Sequence, residues 1–568
     1  MFLHRPGTEA KLLGDFFVDE AAPPSDHFLF AFRENAGPSS GQGARLTKLG
    51  ITQKLSYFYS SRCPIPIQFR LNNCMHKFLW ILLLPVCIMA QTPAYFRGEP
   101  LRIGNQVQLL VDDYVIEDRW KLTRELGKVI KHVRNPVVVQ DKPWEGAVGG
   151  PCVVYDDQLR KFRMYYDNFY LTNYFSRQGP SYTVGYAESD DGFNWTKPAL
   201  EGFPFGGYER TNIINTGPGG KRANSGQVFL NPDQSDPTRR FVMLFLGSGV
   251  RLAYSADGLR WDILKEPLLP YHSDFPNHLV RVPELNLWHL YVRPSIRPNG
   301  VSELPEGRRH TARRLALSTS PDLRTWSAPR TILYSDERDE PDYDSALVFR
   351  RHGVFFALYT QMTQEKGSSE TQVYLATSRD GIHWERTWDR QPFIPRGAPG
   401  SFDGGQVSMG TATPVDIGDE SLLYYYASPA GQREWYKETS VGVARMRRDR
   451  FVGQWAGEQT GYLLTRQFIM EGSKLLLNIS SLPAPYQKET DGIRVAIIEA
   501  PDYQTKETMT EKAVPGFTLE DCDRIKTDNT AHTVTWKGKS DLSALKGKAV
   551  YLRFYMKKAG LYSFQIGL

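Results

Sequence analysis

Five copies of one short pattern recur along this 568-residue chain, at intervals of sixty to sixty-eight residues. Each copy is a small apolar strand carrying an alanine. A Ser/Thr-x-Asp-Gly-like turn and an aromatic residue usually follow. The first two copies are Tyr186-Ala187-Glu188-Ser189-Asp190-Asp191-Gly192 with Trp195, and Leu252-Ala253-Tyr254-Ser255-Ala256-Asp257-Gly258 with Trp261. Next come Leu315-Ala316-Leu317-Ser318 with Asp322 and Trp326, and Leu375-Ala376-Thr377-Ser378-Arg379-Asp380-Gly381 with Trp384. The fifth is degenerate: Val443-Ala444-Arg445-Met446, Asp449 and Phe451. A second apolar strand precedes each copy, at 162–166, 241–245, 287–291, 354–359 and 422–426. The interval suits one four-stranded sheet plus loops, so each repeat reads as one blade of a propeller. Asp-Gly would supply the positive-φ positions of a tight hairpin, with the tryptophan packed back over it.

The predicted fold class is therefore all-β: a five-bladed β-propeller over 101–461, followed by a C-terminal β-sandwich over 462–568. The tail carries short apolar strands around 468–470, 474–479, 493–498, 532–536, 550–555 and 562–564, separated by Gly, Asp, Lys and Asn turns. The lead-in strand at 108–116 is expected to help close the ring, since an open ring would leave bare sheet edges. Gly (48) and Pro (37) are frequent, as many turns require.

The net charge of +6 comes from 69 basic and 63 acidic residues, without a basic helix or an aromatic-interleaved basic strip. That balance is too mild to argue for nucleic acid, and no nucleic-acid partner is expected. From Met75 the chain reads Met-His-Lys, an almost wholly apolar run to Met89, then Ala90-Gln91. This is the pattern of a secretory signal peptide over 75–90, too short to span a membrane. Residues 1–74 are then expected to be an over-extended, disordered N-terminus. The mature protein is expected to be secreted or periplasmic, monomeric and off the membrane. Of five cysteines only Cys152 and Cys522 follow the signal, too few for a disulfide framework or a zinc site.

In a propeller the innermost strand of each blade lines a central channel, so side chains at its entrance converge on one pocket. The strand before each pair begins with Trp144-Glu145-Gly146, Asn224-Ser225-Gly226-Gln227, Asp274-Phe275-Pro276-Asn277-His278, Asp342-Tyr343-Asp344-Ser345 or Phe402-Asp403-Gly404-Gly405-Gln406. Four of these entrances hold a carboxylate and the remaining one holds amides. Asp112, Asp113 and Glu284 are further candidates. Carboxylates around a pocket suit glycosidic bond chemistry: one protonates the leaving oxygen, and a second attacks the sugar or activates water. The candidate catalytic set is Glu145, Asp274, Asp344, Asp403, Asp112, Asp113 and Glu284. The candidate substrate-binding set is Trp144, Asn224, Gln227, Asn277, His278, Arg293 and Gln406. Each acid could instead cap a turn or hold a salt bridge. An arginine-rich stretch includes Arg293, Arg297, Arg308, Arg313 and Arg314, and could read a substrate carboxylate or sulfate. No cofactor is expected, although a ring of acids is compatible with a structural Ca²⁺ in the channel.

The fivefold repeat, the channel acids and the tail together resemble the five-bladed propeller glycosidases of glycoside hydrolase families 32 and 43. Leu110-Val111-Asp112-Asp113-Tyr114, Tyr186-Ala187-Glu188-Ser189-Asp190-Asp191-Gly192-Phe193-Asn194-Trp195 and Leu561-Tyr562-Ser563-Phe564 look like an uncharacterised secreted bacterial branch of that group. The resemblance implies a hydrolase of poly- or oligosaccharides. The family 32 signature Trp-Met-Asn-Asp-Pro-Asn is absent, so no catalytic role carries over by motif. The nearest positional analogues are Asp112, Asp113 or Glu145, and Asp274 or Glu284. A non-catalytic carbohydrate-binding propeller is the alternative.

Overall fold

A computed structural model describes residues 100–269, 273–294, 302–303, 309–310, 313–340, 342–363, 369–411, 413–432, 434–481, 488–499 and 512–568. The expected signal peptide, the segment 1–74, Arg297 and Arg308 lie outside the described residues. The described residues are nearly all-β, 50% strand and 5% helical.

Each sequence repeat builds one antiparallel sheet. The first runs in order Ala147–Asp156, Lys161–Phe169, Tyr182–Ser189, Ile213–Asn215. The second is Asn224–Leu230, Phe241–Gly247, Gly249–Ser255, Asp262–Ile263. The third is Ser273–Val282, Leu287–Pro294, Leu315–Ser320, Arg330–Leu333. The fourth is Asp342–Arg351, Val354–Met362, Thr371–Ser378, Glu385–Arg386. The fifth is Gln406–Met409, Glu420–Ser428 and Ser440–Arg447, joined to the fourth by one parallel pair, Thr371 with Gln406. Its outer edge is completed by Ile130–Lys131 and Val138–Val139, which come from before the first sheet. The lead-in strand at 108–116 does not make that closure. Gln108–Leu109 and Ile116–Trp120 pair instead with strands near the C-terminus.

The cores lie between sheets. One apolar cluster joins the first sheet to the second, and others join second to third, third to fourth, fourth to fifth, and fifth back to first. The repeated alanines at 187, 253, 316, 376 and 444 are at most 1% exposed, because a larger side chain would push neighbouring sheets apart.

The turn motif has a different geometry from a two-residue hairpin. Ser189 Oγ accepts from Gly192 N (2.9 Å), and Asp191 Oδ1 accepts from Phe193 N and Asn194 N (2.8 and 2.7 Å). Side chains thus replace a backbone turn, and only the glycine takes positive φ. Ser255/Asp257/Gly258 and Ser378/Asp380/Gly381 repeat it. Each glycine carbonyl then accepts from a buried tyrosine of the preceding sheet: Tyr424 to Gly192 (2.7 Å), Tyr165 to Gly258 (3.0 Å), Tyr291 to Gly381 (3.2 Å). A Cβ on Gly192 would sit 2.9 Å from Tyr424 Oη, so the contact also demands glycine there. The following tryptophans 195, 261 and 384 meet those same tyrosines edge-on, at 5.8, 6.1 and 6.3 Å.

Two further sheets share one apolar core rich in residues beyond 456. One contains Thr123–Leu126, Val452–Ala456, Ala559–Gly567, Lys474–Ser481 and Asn529–Thr533. The other contains Ile116–Trp120, Gly461–Thr465, Ala549–Lys557, Phe468–Ile469 and Gly492–Glu499. Strands from 108–126 therefore belong with the C-terminal strands in space. Cys152 and Cys522 are both buried and free.

An ion cluster around the fully buried Asp156 ties the first sheet to the second at the end with the tight turns. Asp156 accepts from Arg163 (3.0 Å) and from Arg240 (2.7 Å). Burial opposes its charge, but Arg240, the Leu159 N–H and Arg163 outweigh that and hold its carboxyl at about 2. A folded-state value below the unfolded one adds stability above about pH 4 and loses it as pH falls toward the folded value. Asp156→Asn should therefore lower the unfolding free energy by about 2 kcal/mol at neutral pH. The deficit should narrow on acidification, read by urea denaturation across pH. Tyr424→Phe should cost about 1 kcal/mol in the same assay, because it strands the buried Gly192 carbonyl.

Candidate functional site

The entrances of the five inner strands share one end of the fold. The second strands of four sheets end there and their third strands begin there, at Phe169 and Tyr182, Pro294 and Leu315, Met362 and Thr371, and Ser428 and Ser440, whereas the opposite end has short turns such as Arg351 to Val354. Four inner strands also lose register near their entrance, between Gly149 and Cys152, Asn224 and Gln227, Asp274 and His278, and Tyr343 and Ser345. The displaced residues include Gly150, Pro151, Gly226 and Pro276, which fit poorly in a regular ladder. Such bulges bend the strand and re-aim side chains. Beyond the fifth inner strand, Thr411 bonds across to the first and second bulges, by its N–H to Pro151 O (3.0 Å) and its hydroxyl to Gly226 O (3.1 Å).

Two of the predicted acids are linked there through one arginine. Arg293 bonds both the Asp274 carboxylate and the Asp344 main-chain carbonyl. Asp344 Oδ1 accepts from Arg313 (3.2 Å); its Oδ2 accepts from Ser408 Oγ (3.1 Å) and Tyr426 Oη (3.3 Å). Gln406 donates to Ser408 Oγ (3.1 Å). Phe275 N donates to Asp274 Oδ1 (2.9 Å), and the Phe275 ring lies 6.3 Å from that of Tyr426. Behind them Asp342, fully buried, accepts from Arg313 N (3.2 Å). Arg222 stacks 5.1 Å from the Tyr182 ring and adds positive potential at Asp274.

These neighbours set the electrostatics. Burial opposes ionisation of Asp274, but Arg293, Arg222, the Phe275 N–H and Arg313 outweigh it and hold the carboxyl well below its ordinary range. Its side chain is 35% exposed, against 5% for Asp344 and 11–12% for Arg313 and Arg293. Asp274 is thus the ionised group that solvent, or a ligand, can reach. Burial and then the Asp344 charge push the Tyr426 hydroxyl up, so it keeps its proton.

The other predicted acids lie elsewhere and are engaged. Glu145 is buried and accepts from Tyr166 Oη (2.5 Å), Lys197 Nζ (2.8 Å) and the N–H groups of Asp141 and Lys142. Asp403 is buried against Lys131 Nζ (2.5 Å). Asp112 makes a two-pronged pair with Arg379, 2.7 Å on each side. Asp113 is exposed beside Arg124, and Glu284 is exposed beside Arg350 (2.7 Å), on the turn after the third inner strand. Among the predicted binding residues, Arg293 and Gln406 belong to the Asp274–Asp344 cluster. Gln227 instead clips the second inner strand to the third, accepting from Leu279 N (2.7 Å). Asn277 braces the third bulge by accepting from Ser273 Oγ (2.6 Å). Asn224 is buried opposite Leu246. Trp144 donates to Asn212 (2.7 Å) and meets Tyr208 at 5.2 Å. His278 is fully buried and held neutral, its value driven down to about 3 by burial. Among the described residues no group of three or more His, Cys, Asp or Glu could hold a metal ion.

The sequence reading missed Arg222, Tyr182, Ser408 and Tyr426 at this end. Tyr426 had a signal, as the last member of the Tyr424-Tyr425-Tyr426 run, in which alternate residues face opposite sides of a sheet.

No family model and no curated protein matches the chain. Solved structures similar to it include an N-acetylgalactosamine deacetylase from F. plautii in complex with blood group B trisaccharide (15% identity, 58% of this chain and 97% of that one, TM-score 0.40). Another is a β-1,2-mannobiose phosphorylase from Listeria innocua in complex with β-1,2-mannobiose (15%, 56% and 97%, 0.38). A third is the catalytic domain of a GH62 α-L-arabinofuranosidase from Coprinopsis cinerea (11%, 56% and 97%, 0.39).

Arg293→Gln should destabilise the protein by about 1–2 kcal/mol, since the Asp344 carbonyl loses its donor while the partly exposed Asp274 charge keeps some of its solvation. Asp113→Asn, at an exposed pair, should stay within about 0.5 kcal/mol of the parent. Chemical denaturation of both variants checks the contrast.

Proposed function

We propose that this chain is a secreted glycoside hydrolase of poly- or oligosaccharides, with Asp274 and Asp344 as its pair of carboxylates. In this reading the closed succession of five sheets is a five-bladed β-propeller over 101–461 of the glycoside hydrolase family 32 and 43 type. The last two sheets are a β-sandwich over 462–568, to which the 108–126 strands contribute. The signal-like segment 75–90 accounts for export.

The observation that carries the reading is that Arg293 binds the Asp274 carboxylate and the Asp344 main-chain carbonyl, while Arg313 binds the Asp344 carboxylate, at the open end of the inner strands, with Asp274 reaching solvent. Glycosidic hydrolysis needs two carboxyl groups flanking the bond. Asp274, held ionised, fits the group that attacks the sugar or activates water. Asp344 takes the second place, with the protonated Tyr426 hydroxyl in contact with it. Neither Glu145 nor Asp403 fits such a role, since the carboxyl of each is buried against a lysine.

One observation favours the alternative of a binding protein without catalysis: both carboxylates are already paired with guanidinium groups. Sugar release from fructans, arabinans, xylans and sulfated algal glycans separates the two. Asp274→Asn and Asp344→Asn should each lower kcat/KM by about 10³-fold, while Glu284→Gln leaves it unchanged. Binding to a glycan without release by the parent would establish the binding protein instead.

A further inference from the structure

An aromatic cluster on the rim of the open end has no role in the carboxylate chemistry. Its hub is Phe169, the last residue of the second strand of the first sheet, which is 6% exposed. Around it stand Tyr182 (4.7 Å), Trp435 (5.2 Å), Tyr174 (5.5 Å) and Tyr436 (6.3 Å). These rings come from both sides of the 169–182 connection and from the Trp435–Lys437 turn of the fifth sheet.

The short helix Leu171–Ser176 buries none of its residues, yet carries Leu171, Tyr174 and Phe175. Tyr174 is 46% exposed and Phe175 53%, and their rings meet at 5.4 Å. The helix lacks a side-chain cap, an acid in its first turn and a base in its last. It is fastened by Asn173, whose amide donates to Pro180 O (2.9 Å). Large rings held at the surface beside a site mark a contact surface for a ligand.

The cluster runs into the carboxylate site. Tyr182 lies beneath Arg222, and Arg222 acts on Asp274. Trp435 and Tyr174 thus lead through Phe169 and Tyr182 to the Arg222 guanidinium. Aromatic faces edged by tyrosine hydroxyls and a guanidinium match a sugar chain, whose rings have apolar C–H faces and hydroxyl rims.

We propose that this rim is a distal sugar-binding shelf that holds the part of a glycan chain beyond the unit at Asp274, so that the protein selects long chains over short ones. The proposal rests on the carbohydrate reading above, although it does not need the hydrolysis. The probes are disaccharides and hexasaccharides of the xylan, arabinan and fructan series. Two readouts are taken on the parent, Tyr174→Ala and Trp435→Ala: steady-state cleavage, and binding by calorimetry. The hexasaccharide-to-disaccharide preference, in kcat/KM or in affinity, should fall about tenfold in each variant. Tyr174→Phe, which keeps the ring, should restore it. If nothing is cleaved but the parent binds hexasaccharides and the alanine variants bind them weakly, the shelf stands and the hydrolase reading fails. If parent and variants share the same preference, or the parent binds none of the probes, the shelf is overturned.

Discussion

Every repeat sheet in this chain is apolar on both faces, and that constraint governs the rest of the structure. Phe241–Gly247 and Val354–Met362 are buried along their whole length. Such a strand needs a partner sheet above and below, and a row of sheets always leaves two faces bare. Returning the last sheet to the first removes both. The tyrosine-to-glycine bond then recurs at the fifth–first, first–second and third–fourth seams, so a single device sets the spacing at several interfaces. Burial raises the hydroxyls of Tyr165, Tyr291 and Tyr424, which keeps them donors.

The same burial explains why acids of one type serve unlike ends. A carboxylate in the interior must be paired, or its desolvation is ruinous. Glu145 with Lys197, Asp403 with Lys131 and Asp156 with Arg163 and Arg240 are posts that hold loops and sheets. Asp274 differs in that its side chain, though paired, still reaches solvent. Its partner Arg293 also grips the Asp344 backbone, so third and fourth sheets are fastened through the site itself.

The repeats were legible because their chemistry is local. A Ser-x-Asp-Gly run makes its own hydrogen bonds within four residues, wherever the sheet ends up. Trp195 and Ala187 follow from the same short segment. The partnership of acids was not legible, since it depends on residues far along the chain. Nothing around Asp112 announces Arg379, and nothing around Glu145 announces Lys197. The lead-in strand at 108–116 was readable as a strand, but its alternation does not name the sheet it joins. Pairing with Ala559–Gly567 and Gly461–Thr465 is settled by the core those strands build together. The exact geometry of the Asp-Gly turn also differed, because Asp and Ser side chains displace the backbone bonds of an ordinary hairpin.

The closing strand has a consequence for synthesis. Lys131 meets Asp403 across 272 positions, and Asn135 meets Tyr425 across 290. Ile130–Lys131 and Val138–Val139 leave the ribosome before any complete sheet, yet their partner Ser440–Arg447 emerges near the end. Through that interval the nascent chain carries unpaired edges and one bare face of its first sheet. Contacts this distant in sequence form slowly, and exposed edges invite pairing with other chains. A chain cut short before residue 440 would keep most of its sheets and no means of shutting them, a natural client for a holding chaperone.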